Sequence, residues 1–96
     1  MTLLEILSDI HTIDKELAKF EDNYGVLSDT FYTWYLQGNE PEEQSWMLDF
    51  AEWAGLCKAR ERLLELYQKR FSILAASEHN NMNWIIQRTR QLAAAA

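Results

Sequence analysis

Apolar residues recur along the first quarter of the chain at a strict 3-4-3-4 spacing: Leu3, Ile6, Ile10, Ile13, Leu17, Phe20 and Tyr24. That period places all seven on one helix face and matches a coiled-coil seam sustained for three heptads. Leu4 and Leu7 widen the stripe slightly, and Glu5, Asp9, Lys15, Glu16, Lys19 and Asp22 lie outside it. Thr2-Leu3-Leu4-Glu5 fits a capping box, in which the threonine oxygen and the glutamate three residues on satisfy the first unpaired N–H groups. Gly25 can supply the left-handed residue that ends such a helix. The prediction is a helix of some 22 residues, about 33 Å long at 1.5 Å per residue.

Ser28-Asp29 predicts a second helix start by N-cap logic, running through Phe31-Tyr32-Thr33-Trp34-Tyr35-Leu36 and stopping at Gly38. Two turns carrying four aromatics are not stable alone, so this segment has to pack against something. An acidic loop follows, Asn39-Glu40-Pro41-Glu42-Glu43. Pro41 with its two glutamates suits the opening of a helix, where acids complement the positive dipole end, and Ser45 is an alternative N-cap. The third helix carries Trp46, Phe50, Trp53, Cys57, Arg60, Leu64, Tyr67, Phe71 and Leu74 at 4-3-4-3 spacing, broadened by Leu48, Leu56, Leu63, Leu66 and Ile73. At roughly 30 residues it spans about 45 Å. Ser77-Glu78-His79-Asn80-Asn81 interrupts the pattern with turn and cap formers. Met82, Ile85, Ile86 and Leu92 then mark a short amphipathic helix flanked by Trp84, Arg88 and Arg90.

Two seams of matched spacing in one chain predict an all-α fold: an antiparallel, coiled-coil-like helical hairpin with a short helix in the turn and a short C-terminal helix. The hairpin would occupy residues 1–76 and the C-terminal helix and tail residues 77–96. The long helix outruns the first, leaving apolar surface for a second subunit or a partner protein.

A chain of 96 residues is one small domain. Such a domain buries only roughly 60–65% of its unfolded surface, so dimerisation is a natural supplement. One proline and three isolated glycines agree with a helical chain. The single cysteine, Cys57, has no internal disulfide partner and lies in an apolar pattern, as a small buried core residue does. The chain thus reads as cytosolic and reduced. Acids at positions 5, 9 and 14 break up any signal-peptide core, and no run approaches the ~18 apolar residues of a membrane span. The closing Ala93–Ala96 run reads as an appended low-complexity tail.

Net charge is −6, against the basic footprint of a general nucleic-acid binder. The total conceals an asymmetry. Residues 1–57 carry twelve acids and two lysines, residues 58–96 seven basic and three acidic side chains. Either the halves pack with complementary charge, or an acidic face binds a basic protein.

Seven of the twelve aromatics fall between Phe31 and Trp53, beside the acidic loop. Trp34, Phe50 and Trp53 are expected to plug the hairpin end. Tyr32, Tyr35 and Trp46 are expected to stay partly exposed, because two turns of helix cannot bury aromatics on every side. Exposed Trp and Tyr among acids suit a protein-binding hot spot. His11 and Asp14 lie three apart on one helix with Asp9 nearby, but a histidine beside solvated acids is common, and no metal or cofactor is expected. His79 reads as an exposed or capping residue. Carboxylate pairs occur without a nucleophile, a glycine-rich phosphate loop or a Cys/His pair, so no enzyme is expected. Trp84 to Arg90 could serve a membrane surface or RNA, but two charges and one aromatic favour a docking helix for a neighbouring subunit.

Tyr24-Gly25, Phe31-Tyr32, Gln37-Gly38, the acidic loop, Asp49-Phe50-Ala51-Glu52-Trp53-Ala54-Gly55-Leu56 and Arg62-Leu63-Leu64 together resemble a family of small bacterial helical proteins. Its members share an N-terminal helix, a "YG…F" break, a glycine with an acidic loop, and a "(D/E)WA.L" long helix. Several are encoded beside small toxins and are read as antitoxins. The resemblance covers Tyr24 to Leu64 and implies a protein partner. Antitoxins often add a DNA-binding module, and no basic recognition helix stands in this chain. The expected function is a protein–protein interaction module, antitoxin-like, that binds a basic toxin through Trp34, Tyr35, Trp46, Glu42, Glu43, Asp49 and Glu52. The alternative is a self-contained homodimeric scaffold without a toxin partner. Direct contact with nucleic acid or membrane is expected in neither.

Overall fold

The computed structural model describes residues 1–77 and 81–95, and every regular element among them is helical. Four α-helices follow in order: α1 (Leu3–Tyr24), α2 (Ser28–Leu36), α3 (Met47–Ser77) and α4 (Met82–Ala95), with a 3₁₀ turn at Gln44–Trp46 before α3. The predicted lengths hold, at 22 residues for α1 and 31 for α3. None of these helices is long and apolar enough to cross a membrane.

The capping box forms as expected. Thr2 N–H donates to Glu5 Oε1 at 3.1 Å, and Glu5 N–H donates to Thr2 Oγ1 at 3.2 Å. Those bonds hold the Glu5 carboxyl below its ordinary value, chiefly through the Thr2 backbone. Gly25 ends α1 at φ +73° and Gly38 follows α2 at φ +87°, the left-handed region only glycine enters without a steric penalty.

Two predicted caps are not used. The N-cap of α2 is Leu27, in extended backbone and without a side-chain bond; Ser28 is the first helical residue. Its free N–H instead donates to Glu21 Oε2, reaching across from α1, at 2.7 Å. A carboxylate from another helix thereby does the work of a local cap and also opposes the positive dipole end. At the second site the helix starts later than Pro41 or Ser45 predicts. Glu43 precedes the 3₁₀ turn and α3 begins at Met47, which leaves Pro41 in the loop. Asn81 does cap α4, its Oδ1 accepting Trp84 N–H at 3.1 Å. Ser77, predicted to open the break, is instead the last residue of α3, and residues 78–80, including His79, lie outside the described residues, as does Ala96 of the alanine tail.

The chain gathers into two compact units. Residues 12–61 form one, built from the C-terminal part of α1, α2, the acidic loop and the first half of α3. Its core is Leu17, Phe31, Phe50, Trp53, Ala54 and Cys57, flanked by Ile13, Phe20, Tyr24, Tyr32, Tyr35 and Leu56. Helix partners pair in opposite chain order here: Asp14 with Arg60, Phe20 with Trp53, Tyr24 with Phe50. The Arg60 Nε–Asp14 Oδ1 bond, at 2.6 Å, is the one ion pair between helices among the described residues. Charge pairing between the two halves of the sequence is therefore sparse among the described residues, and this pair is half-buried.

Residues 1–11 with residues 62–95 form the other unit. Ile6, Ile10 and Ile85 are buried in it, and Arg70 Nη1 donates to Met1 O at 2.8 Å. An apolar cleft of about 350 Å³ is lined by Leu3, Tyr67, Phe71, Met82, Ile85 and Arg90, among others. Two residues expected to broaden the apolar stripe of α3 stand in solvent instead, Leu48 at 78% and Ile73 at 69% exposure. Ala54, which the spacing passes over, is buried in the first unit.

Candidate functional site

Trp53 organises the unit of residues 12–61. It is 1% exposed and stacks face to face on Phe31 with ring centres 3.8 Å apart and planes within 2°. Phe20 and Tyr24 stack on it at 5.6 and 5.7 Å. A buried indole needs an acceptor for its N–H, and the buried Ser28 hydroxyl supplies one at 3.0 Å. Ser28 thus joins three elements: its N–H meets Glu21, its Oγ meets Trp53, and its carbonyl faces Cys57 Sγ at 3.9 Å. Burial raises the Cys57 thiol from 9.0 to about 11, with Asp29, Glu61 and Glu21 adding to it. At neutral pH this thiol is protonated and packs as a small apolar group, as expected from the sequence.

Phe50 carries the aromatic order outward. Its edge meets Tyr24, Phe31 and Trp34 at 5.3, 5.0 and 6.0 Å, and Trp46 stacks on it at 6.0 Å. Trp34 and Trp46 are 37% and 38% exposed. Phe50 and Trp53 do plug this unit, while Trp34, expected with them, stands at its rim. Nine residues of α2 have a limited inner face, which Phe31 fills; Trp34 is three positions further on and only tilts against it, at 6.3 Å.

Together these rings form a groove of about 680 Å³. Phe31, Phe50 and Trp53 lie at its base, Trp34 and Trp46 contribute its aromatic walls, and Asn39 to Glu42 of the loop line it as well. The loop is tied to the end of α2 by Asn39 Nδ2, which donates to Trp34 O at 2.8 Å, and by Gly38 N–H to Tyr35 O at 3.1 Å. Glu40 and Glu42 are exposed, line the groove, and have no hydrogen-bond or ion-pair partner among the described residues. No lysine or arginine is among the groove's described lining residues.

Of the seven residues expected to bind a partner, the groove brings together Trp34, Trp46 and Glu42. Tyr35 lies half-buried against Phe31 at 5.5 Å, and Glu43 and Glu52 are exposed outside the lining. Asp49 is engaged internally, where it accepts the Tyr24 hydroxyl at 2.6 Å. That bond raises the Tyr24 phenol from 10.0 to about 12, with burial and the charges of Asp49 and Glu43 acting the same way. Glu40 and Pro41, which also line the groove, are not among those seven. Their place depends on the loop folding back over Trp34, and the Gly38-Asn39 pair is the sequence signal for that turn. His11 is exposed, Asp14 is engaged by Arg60, and no cluster of three metal-ligand side chains occurs among the described residues.

Comparison of the chain with protein-family models, with curated proteins and with solved structures finds no match.

Proposed function

We propose that this chain is a protein–protein interaction module that binds a basic protein through the acidic aromatic groove, in the manner of an antitoxin holding its toxin. One observation carries the reading: two half-open tryptophan walls stand beside two carboxylates that have no partner among the described residues, with no cation in the described lining. Aromatic anchors in a concave surface are the residues that dominate protein-binding energy. A surplus of carboxylates steers a basic partner in and selects against an acidic one. The likeness of Tyr24–Leu64 to small antitoxin-like proteins points the same way. We further propose the antiparallel hairpin as the arrangement of α1 and α3, supported by the opposite chain order of their contacts within residues 12–61. Cytoplasmic action, without catalysis, cofactor, or direct contact with nucleic acid or membrane, completes the proposal.

The test is whether a small basic reading frame is encoded beside the chain, and co-expression of the two. Co-purification of one such product and rescue of growth from its toxicity are expected. No co-purifying product and no rescue would contradict the reading.

Self-association is the second reading, favoured by the exposed Leu27, Leu36 and Leu48, at 69%, 65% and 78%. Light scattering separates the two. A stable dimer in which Trp34 and Trp46 are protected from an aqueous fluorescence quencher would favour the scaffold, and a dimer that leaves them open is compatible with a partner-binding homodimer.

A further inference from the structure

We infer that the groove is a receptor for a guanidinium group, seating one arginine side chain of a protein partner between Trp34 and Trp46. The inference rests on the reading above and narrows it from a basic face to a single pocket and a single functional group. Three observations converge on it. First, the walls and base are aromatic. Trp34 and Trp46 both line the groove, and each lies 6.0 Å from the Phe50 ring, at interplanar angles of 86° and 25°, so aromatic rings in more than one orientation surround the site. The face of an aromatic ring is electronegative and attracts a cation lying within about 6 Å of its centre, tryptophan most strongly. Second, the charge in the groove is of one sign: Glu40 and Glu42 line it, no lysine or arginine is among its described lining residues, and neither glutamate has a partner among the described residues. Third, the loop that carries these carboxylates is anchored to α2 through Asn39 and Gly38, so part of the cost of positioning them is met before binding.

A guanidinium suits this arrangement better than an ammonium. It is planar and weakly hydrated, stacks on indole, and offers a fork of N–H donors to a carboxylate. An ammonium is compact and strongly hydrated, and loses more on leaving water. At about 680 Å³ the groove also has room for part of the segment bearing the arginine.

The test uses the full chain and three fluorescein-labelled probes at low salt, with binding read by anisotropy: hexa-arginine, hexa-lysine and hexa-citrulline, the last being the uncharged isostere of the first. Hexa-arginine should bind, hexa-lysine about fivefold or more weakly, and hexa-citrulline not detectably, as expected when stacking and charge both contribute. Trp34→Leu with Trp46→Leu keeps the full negative charge and should weaken hexa-arginine binding about tenfold, an exposed cation–π contact being worth roughly 0.5–1 kcal/mol per ring. Glu40→Gln with Glu42→Gln alters only unpartnered loop side chains, so the fold is retained, and it should cost about fivefold or more. Glu5→Gln with Asp9→Asn, neither of which lines the groove, should change affinity less than about twofold when the measurement is repeated at about 0.15 M salt, where surface charges are screened.

Equal binding of hexa-arginine and hexa-lysine, or of hexa-citrulline, overturns the assignment. So does hexa-arginine binding that salt abolishes but that survives both groove double substitutions; that outcome leaves the broader acidic-face reading standing. Failure of every cationic probe to bind wild type removes both. Self-association that buries Trp34 and Trp46 overturns the arginine as occupant in favour of a second copy of the chain.

Discussion

Two clefts of this molecule, one in each unit, are both lined by apolar side chains and differ in charge. In the unit of residues 12–61 the groove is aromatic, and its ionised residues are Glu40 and Glu42. In the unit of residues 1–11 and 62–95 the cleft is lined by Leu3, Tyr67, Phe71 and Ile85 among others, and its ionised residue is Arg90. The cores differ in the same sense. The first is centred on stacked rings around Trp53, the second on three isoleucines. Residues 12–61 hold eleven acids against four basic side chains, a net −7, whereas the rest of the sequence nets +1. The acidity of the chain is thus concentrated on the unit that also exposes tryptophan. An average over the chain hides this concentration.

The contrast can be disrupted from the inside. Trp53→Ala removes the ring on which Phe20, Tyr24 and Phe31 stack and should cost about 3–5 kcal/mol. For a domain of this size each kilocalorie lowers Tm by about 4–8 °C, so calorimetry should show the Tm of Trp53→Ala lowered by at least about 12 °C. Ile85→Ala, in the other core, should cost about 2–4 kcal/mol while leaving hexa-arginine affinity of the folded fraction unchanged. Equal loss of that affinity would show that the cleft near Ile85 also contributes to cation binding.

Ser28→Ala comes next. It leaves the Trp53 N–H buried without its acceptor, for about 1–3 kcal/mol by urea unfolding. A change below about 0.3 kcal/mol would mean that another acceptor takes over.

Smaller effects separate the structural from the binding acids. Asp49→Ala breaks the Tyr24 bond and should cost about 1 kcal/mol of stability. Glu42→Gln should leave stability within about 0.5 kcal/mol and weaken cation binding instead. A reversed pattern would transfer the binding role to Asp49.

Smallest is the alkaline limb. Because folding raises the Tyr24 phenol from 10.0 to about 12, the protonated form is favoured by the folded chain. The stability it confers is complete below pH 10 and is lost as pH rises from 10 to about 12. Phenolate absorbance should show one tyrosine ionising late, and Asp49→Asn should return it toward its ordinary value.

Sequence made the helices legible because two independent signals agree at most of their ends. Heptad spacing gives α1 its face, and the capping box with Gly25 gives its bounds. Spacing alone was less informative for the start of α3, where Pro41 and Ser45 both offered an opening and the backbone used neither. Tertiary substitution explains the miss at α2: Glu21, seven residues before Ser28, caps it, a relation no local rule contains. Of the candidate site, the half-open Trp46 and Glu42 were legible from crowding of aromatics beside acids, whereas Trp34 was expected in the plug and stands at the rim. The engagement of Asp49 by Tyr24 was not, since it spans 25 residues. Neither was the lining role of Glu40, which depends on how a loop folds.

Whether an arginine side chain seats between Trp34 and Trp46 is decided most directly by a proton–nitrogen NMR titration of the indole N–H groups with a blocked Gly-Arg-Gly peptide. The Trp34 and Trp46 resonances should shift with a common saturation curve while that of the sealed Trp53 stays near its starting position. Resonances of Trp34 and Trp46 that remain fixed while the peptide binds, or shifts matched by the corresponding citrulline peptide, would contradict the assignment.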